Sequence, residues 1–254
     1  MLRKINRKVF QKNRLEEYEK ILKYAKDNGY KLVSLIDWYN NYLNSQQKVM
    51  ILRHDIDNDS SGAYSFYKVE KRLNARSSFY FRWKTMKNDI MWDMYNDGFE
   101  VSLHFETLAS YAKKNNIRHE SEITIDVLNK CRDILSKEIK RFKSTYFEIK
   151  TICSHGDKRN RLLHTSNHVL TNKEFLLQNN ILFETYDKDI VSKFDAYISD
   201  SSIYSNFEWQ HSGSPYNMIN QNKQTICLLT HPIHWNQSLA KNIKMLFFVY
   251  FDNK

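Results

Sequence analysis

Glycine and proline are scarce in this chain, with five and two residues among 254. So few breakers exclude collagen-like, linker-like and low-complexity architectures. Cysteine is scarce too. Cys131, Cys153 and Cys227 are isolated and odd in number, which excludes a disulfide framework and leaves no CxxC metal motif. Cys153 and Cys227 fall in apolar runs, where a free thiol behaves as a small apolar side chain. Long hydrophobic runs are missing as well. The apolar run near the end, Met245 to Phe251, is too short to span a bilayer. The opening Met1-Leu2-Arg3-Lys4-Ile5-Asn6 has no apolar run after it, so the expectation is no signal peptide, no membrane span and a cytoplasmic location. No internal repeat is visible.

What is present suits one α/β domain with a real core: 254 residues, 41% hydrophobic and 27% charged. The net charge is +10. It fits an anionic partner or a Lys-rich solvated surface, and the interleaving of acids among the bases favours the surface. Even the densest basic stretch, Lys137 to Lys143, contains Glu138. No nucleic-acid motif is found, and no nucleic-acid partner is expected.

Apolar periodicity predicts helices over Leu15–Asn28, Asp59–Asn74, Asp89–Asn96, Ser121–Phe142 and Lys173–Gln178. Apolar runs predict strands over Lys31–Leu35, Val49–His54, Ser77–Arg82, Phe99–His104, Ile149–Ser154, Ile181–Glu184, Ala196–Ser199 and Thr225–Thr230. A further helical piece covers Leu35 to Leu43. Strands alternating with helices imply a mainly parallel sheet, and about seven βα units suggest a single (β/α) barrel with its site at the strand C-termini. Residues 1–48 then form a lead-in packed on a barrel of residues 49–254, one structural domain overall.

Four apolar runs end in chemistry. Val49 to Leu52 leads into Arg53-His54-Asp55-Ile56-Asp57, and three later runs end in His104, His155 and His231. Carboxylates and imidazoles at strand C-termini suggest one metal-centred site. If the first strand continues to Asp57, Asp55 and Asp57 share a face with Arg53, so one carboxylate can bind a metal while the other acts as base. The bland alternative is helix capping, with Asp59 or Ser60 the better candidates for that cap. His104 is a metal ligand or a core histidine on a backbone carbonyl, with Glu106 a candidate partner for its ring. Gly156 allows a tight turn after His155, and Pro232 ends the strand at His231. Trp235 is a wall for a sugar ring or core. His234 is ambiguous. His119, His164, His168 and His211 lie in polar loop surroundings and read as bland.

Five segments in order, Arg53-His54-Asp55-Ile56-Asp57, Gly98 to His104, Cys153-Ser154-His155-Gly156, Tyr197-Ile198-Ser199-Asp200 and His231-Pro232-Ile233-His234-Trp235, resemble the polysaccharide deacetylase superfamily, also called the NodB-homology or carbohydrate esterase family 4 group. The similarity is to a divergent branch linked to O-antigen or capsule gene clusters, and it covers roughly residues 15 to 240. It implies a distorted seven-stranded deacetylase-type barrel and a metal-dependent hydrolase that removes acetyl groups from a carbohydrate in surface polysaccharide synthesis; the expected lack of a signal peptide favours a nucleotide- or lipid-linked substrate. By motif, Asp55 is the implied base and His231 the acid, with Asp57 and His104 as metal ligands. The metal implied is Zn²⁺, with Co²⁺ or Ni²⁺ as alternatives. The Asp55 and Asp57 roles can be exchanged, because the family's two carboxylates are adjacent rather than alternate. The family's second motif carries His-x-x-x-His, whereas Leu108 stands at the second position here. His155 is the expected replacement. Arg53, Tyr80, Arg82, Asp200 and Trp235 are the expected pocket residues. Two other functions remain open: a non-catalytic saccharide-binding or scaffold protein, and an amidohydrolase acting on a non-sugar C–N bond.

Overall fold

The computed structural model describes residues 10–202 and 205–243. The expectations for Met1 to Asn6 and for Met245 to Phe251 therefore lie outside the described residues. The fold is mixed α/β, in two compact units. One contains the chain up to Phe79 and from Phe194 onward; the other is Tyr80–Lys193.

The first unit is organised on β2 (Val49–Ile56), whose eight residues are all buried. Burial on both faces is the usual condition of a parallel strand, and the unbroken run Val49-Met50-Ile51-Leu52 supplies it. β2 pairs in parallel with β1 (Lys31–Val33) and with β9 (Thr225–Thr230). β9 pairs in parallel with β7 (Ala196–Ser199). β8 (Gln210–His211) closes this row antiparallel to β7. A two-residue exposed strand has no alternation to read, which is why the sequence gives no sign of it. Helix α1 (Leu15–Asp27) buries Tyr18, Ile21, Leu22 and Ala25, one stripe of its surface. Helix α2 (Ser60–Arg72) is capped by Asp59, whose side chain accepts from the Gly62 amide at 3.0 Å. A short helical turn, Leu35–Asp37, runs on as a π-helical turn, Trp38–Tyr42.

Strand β3 (Ser78–Phe81) carries the chain into the second unit. There β4 (Glu100–Phe105), β5 (Thr151–Ser154) and β6 (Phe183–Glu184) run parallel in that order. Helices α3 (Asn88–Asn96), α4 (Thr107–Lys114), α5 (Ile125–Thr145), α6 (Lys158–Leu162), α7 (Lys173–Gln178) and α8 (Lys188–Val191) accompany them. The long helix expected from Ser121 begins instead at Ile125. The reason is local: Thr124 takes the cap, accepting from the Val127 amide at 3.3 Å, and Glu120–Glu122 forms a separate 3₁₀ turn. In the first unit a last helix, α9 (Pro215–Asn220), precedes β9. Among the described residues, no helix is long and apolar enough to cross a membrane.

Behind β2 lies a buried polar network. His54 is fully buried, with Nδ1 at 2.7 Å from Thr230 Oγ1 and Nε2 at 2.7 Å from Glu70 Oε1. Tyr18 also donates to Glu70 Oε1, and Ser77 donates to Oε2 at 2.6 Å. Burial, with the Glu70 carboxylate alongside, raises the Tyr18 phenol well above its ordinary value. Glu70 thus joins α1, α2, β2 and the start of β3 through one carboxylate. Its place was legible: Ala63, Phe66 and Glu70 fall on one helix face, so a Glu on an apolar stripe needs a partner. Glu70→Ala should cost about 3–5 kcal/mol, the usual cost of breaking a buried charged network by removing one member. Urea unfolding measures it, with Glu70→Gln expected to retain more stability.

Candidate active site

The first unit holds the carboxylates. β2 and β9 are in register at His54 and Thr230, so Asp55, the next residue of β2, lies level with His231, the first residue after β9. Asp55 is buried and gripped by Arg53 in a two-point contact, Nε to Oδ1 at 3.0 Å and Nη2 to Oδ2 at 2.8 Å. Alternation explains it, since residues two apart on a strand share a face. Arg53, expected in the pocket, is itself 1% exposed and spent on this contact. β2 ends at Ile56, so Asp57 is the first residue past the strand rather than its continuation, and is half-buried.

His231 is held by Asp200. Its backbone amide donates to Asp200 Oδ2 at 2.9 Å, and its Nδ1 lies 2.7 Å from Oδ1. His234 Nδ1 lies 3.1 Å from Oδ2, and Trp235 Nε1 donates to the same oxygen at 2.7 Å. Four donors on one buried carboxylate make Asp200 an orienting group, not the pocket residue the sequence suggests. Burial alone would raise Asp200, but His231 and His234 hold it well below the usual carboxylate range. Burial alone would lower His231, yet Asp200, aided by Asp57 and Asp55, brings it up to about 9. The Nδ1–H of His231 is taken by Asp200, which leaves Nε2 for chemistry. Trp235 is 1% exposed and packs against Tyr18 and Phe66. It is core, and the expectation that it walls a sugar site gives way to its burial.

The second unit holds two imidazoles. His104 lies on β4, and His155 directly follows β5. His104 Nδ1 faces the Cys153 carbonyl at 3.1 Å, so it carries the proton, and Nε2 keeps its lone pair. That Nε2 lies 3.2 Å from His155 Nδ1. The structure therefore brings together two of the expected metal ligands. Leu108, at the position of the family's second histidine, is fully buried on α4.

Four expectations in this unit are corrected. Glu106 does not support His104; it pairs with Arg82, which is consequently spent on that ion pair instead of facing a pocket. Tyr80 is fully buried, its hydroxyl 2.7 Å from Thr151 Oγ1 and near Glu100. Thr151 and Glu100 begin β5 and β4, so this hydroxyl lies at the opposite strand ends from His104 and His155. His168, read as bland, has Nδ1 at 2.7 Å from the buried carboxylate of Glu184, which raises its pKa. Glu184 ends the strand expected over Ile181–Glu184, so an acid at one more strand C-terminus was the signal that could have found it.

Further groups of potential ligand atoms lie within 4.8 Å of one another: Asp200, His231 and His234 in the first unit, and Glu106, His155 and Asp157 or His168, Glu184 and Asp187 in the second. Cys131 and Cys227 offer little reactive chemistry. Burial pushes the Cys227 thiol up to about 12 and Cys131 up to about 11.

The Asp200–His231 pair makes stability depend on pH. His231 is raised from 6.5, so its contribution is complete below that value and is lost as pH rises through about 9. Asp200 is depressed from 3.8, so its contribution is present above that value and is lost as pH falls further. Thermal melts from pH 6.5 to 9.5 should therefore show a decline in Tm that Asp200→Asn greatly reduces. Equal slopes for the two proteins would contradict the pairing.

No protein-family model matches the chain, and no curated protein matches it. Among solved structures, the chain is similar to the polysaccharide deacetylase Bc1974 from Bacillus cereus, at 16% identity over 78% of this chain and 88% of that one, with a TM-score of 0.37. It is also similar to the peptidoglycan deacetylase PdaC from Bacillus subtilis, at 12% identity over 83% of this chain and 98% of that one, with a TM-score of 0.29.

Proposed function

We propose that this chain is a metal-dependent hydrolase removing N-acetyl or related acyl groups from a carbohydrate or sugar-containing intermediate of surface polysaccharide synthesis. One observation carries the reading. A carboxylate near the end of β2 and an imidazole just past the end of β9, Asp55 and His231, lie level on neighbouring parallel strands, each held by its own buried partner, Arg53 or Asp200. That is the arrangement a base and an acid of one hydrolysis need. The five motifs in order supply the substrate class and the deacetylase-type barrel that belong to the proposal.

The donor set fits a borderline-soft divalent ion such as Zn²⁺, Co²⁺ or Ni²⁺. His104 Nε2 is left unprotonated by the Cys153 contact and sits beside His155 Nδ1; Asp57 is the third ligand that the motif implies. A metal bound by these residues would polarise the acyl carbonyl and favour ionisation of water. Asp55 takes the proton of the attacking water. His231, raised to about 9 and so protonated at neutral pH, donates from Nε2 to the departing amine nitrogen as the C–N bond breaks. Asp200 stabilises the imidazolium and orients its Nε2–H, and Arg53 holds Asp55 in place. The net charge of +10 suits a nucleotide- or lipid-diphosphate-linked substrate without demanding one, and a cytoplasmic setting belongs to the same reading.

The test is metal content and hydrolysis of a panel of N-acetylated oligosaccharides by the full chain. About one metal per chain is expected, lost in His104→Ala and His155→Ala. Asp55→Asn and His231→Asn should keep the metal and lose about 10²–10⁴-fold in kcat. A wild-type protein that takes up no Zn²⁺, Co²⁺ or Ni²⁺ and releases no acetate would exclude the hydrolase and favour a saccharide-binding module. Leu108 in place of a histidine is the feature that favours that alternative.

A further inference from the structure

Three consecutive backbone groups around His155 are tied to buried partners. The Ser154 amide donates to Glu184 Oε1 at 2.7 Å. The His155 amide donates to the Phe105 carbonyl, the residue after His104, at 2.8 Å. The His155 carbonyl accepts from Asn167 Nδ2 at 2.6 Å. Asn167 is fully buried, and its amide is used completely. The same nitrogen donates to Asn160 Oδ1 at 2.9 Å, and Oδ1 accepts from the Ala109 amide at 3.1 Å. Ala109 lies in the first turn of α4, whose own N-cap residue, Glu106, makes no capping bond. A residue from a distant 3₁₀ turn, Asn167–Leu170, therefore caps the helix that follows His104 while holding the peptide of His155. Next to it, His168 Nδ1 bonds Glu184 Oε2 at 2.7 Å, steadying the carboxylate that grips Ser154.

We propose that Asn167, with the His168–Glu184 pair beside it, is a positioning residue that sets His155 against His104 for metal binding. The inference rests on the metal-site reading above. It differs from ordinary loop packing in what it connects, since one amide ties the helix that follows the first imidazole to the backbone of the second. Asparagine is required there because the site needs two N–H donors and an acceptor from one short side chain. Aspartate keeps the acceptor and loses both donors.

Three variants of the full chain test this: Asn167→Asp, His168→Gln and, as a control for general destabilisation, Leu176→Ala in α7. Co²⁺ affinity is read from the visible spectrum, with far-UV circular dichroism and Tm followed in parallel. Asn167→Asp should weaken Co²⁺ binding about 10–100-fold, the usual effect of removing support behind a metal ligand. His168→Gln, at a half-exposed position, should weaken it in the same direction. Leu176→Ala should lower Tm without changing affinity.

A second readout needs no metal. In the metal-free protein His155 Nδ1–H donates to His104 Nε2, so ¹⁵N-labelled imidazoles should show a protected N–H that Asn167→Asp abolishes. Wild type without Co²⁺ binding would remove the metal reading and leave this signal to decide the positioning claim. Unchanged affinity and an unchanged imidazole signal in Asn167→Asp would overturn the claim while leaving the metal site standing. If Asn167→Asp does not fold, an unchanged His168→Gln protein would overturn it instead.

Discussion

The parallel pairing of β2 with β9 is the constraint on which the rest of the first unit depends. Six residue pairs, from Val49 with Thr225 to His54 with Thr230, fix the register of the two strands. Strand alternation then decides every side chain along them. Arg53 and Asp55 share one face and meet as an ion pair, while His54 goes to the other and finds Thr230 and Glu70. A slip of one residue would place the Arg53–Asp55 pair where the helices pack and His54 where Asp55 now is. The apolar run Val49 to Leu52 and its burial make that slip costly, so the chemistry at the strand ends inherits its geometry from the hydrophobic core.

Four of the groups with a proposed chemical role are each backed by a polar group buried deeper than themselves. Asp55 has Arg53, His231 has Asp200, His104 has the Cys153 carbonyl, and His155 has Asn167 on its backbone. Burial of such partners is costly unless their hydrogen bonds are filled. Asp200 takes four donors and Asn167 uses its whole amide. Filled partners of this kind leave few alternative rotamers for the groups they hold, which is the physical content of preorganisation. The same rule explains why Trp235 and Tyr80 are unsuited to contacting a substrate: their polar atoms are already occupied inside the protein.

Local physical chemistry was legible in the amino-acid sequence. The apolar runs of β2, β7 and β9, the helix of Lys173–Gln178, the cap at Asp59 and the accumulation of Asp and His at strand ends all follow from period, turn residues and cap chemistry within a few positions of one another. Short elements such as β8 and α9 left too few residues for a period to register. The partner of each polar side chain belonged to the tertiary structure. Asp200 and His231 are 31 residues apart, Arg82 and Glu106 are 24 apart, and Asn167 reaches Ala109 across 58. Nothing in the local pattern distinguishes an Asp that faces a pocket from one that orients a histidine, because both end a strand in the same way. That choice is made only when packing brings donors from distant segments around a carboxylate and leaves it no water.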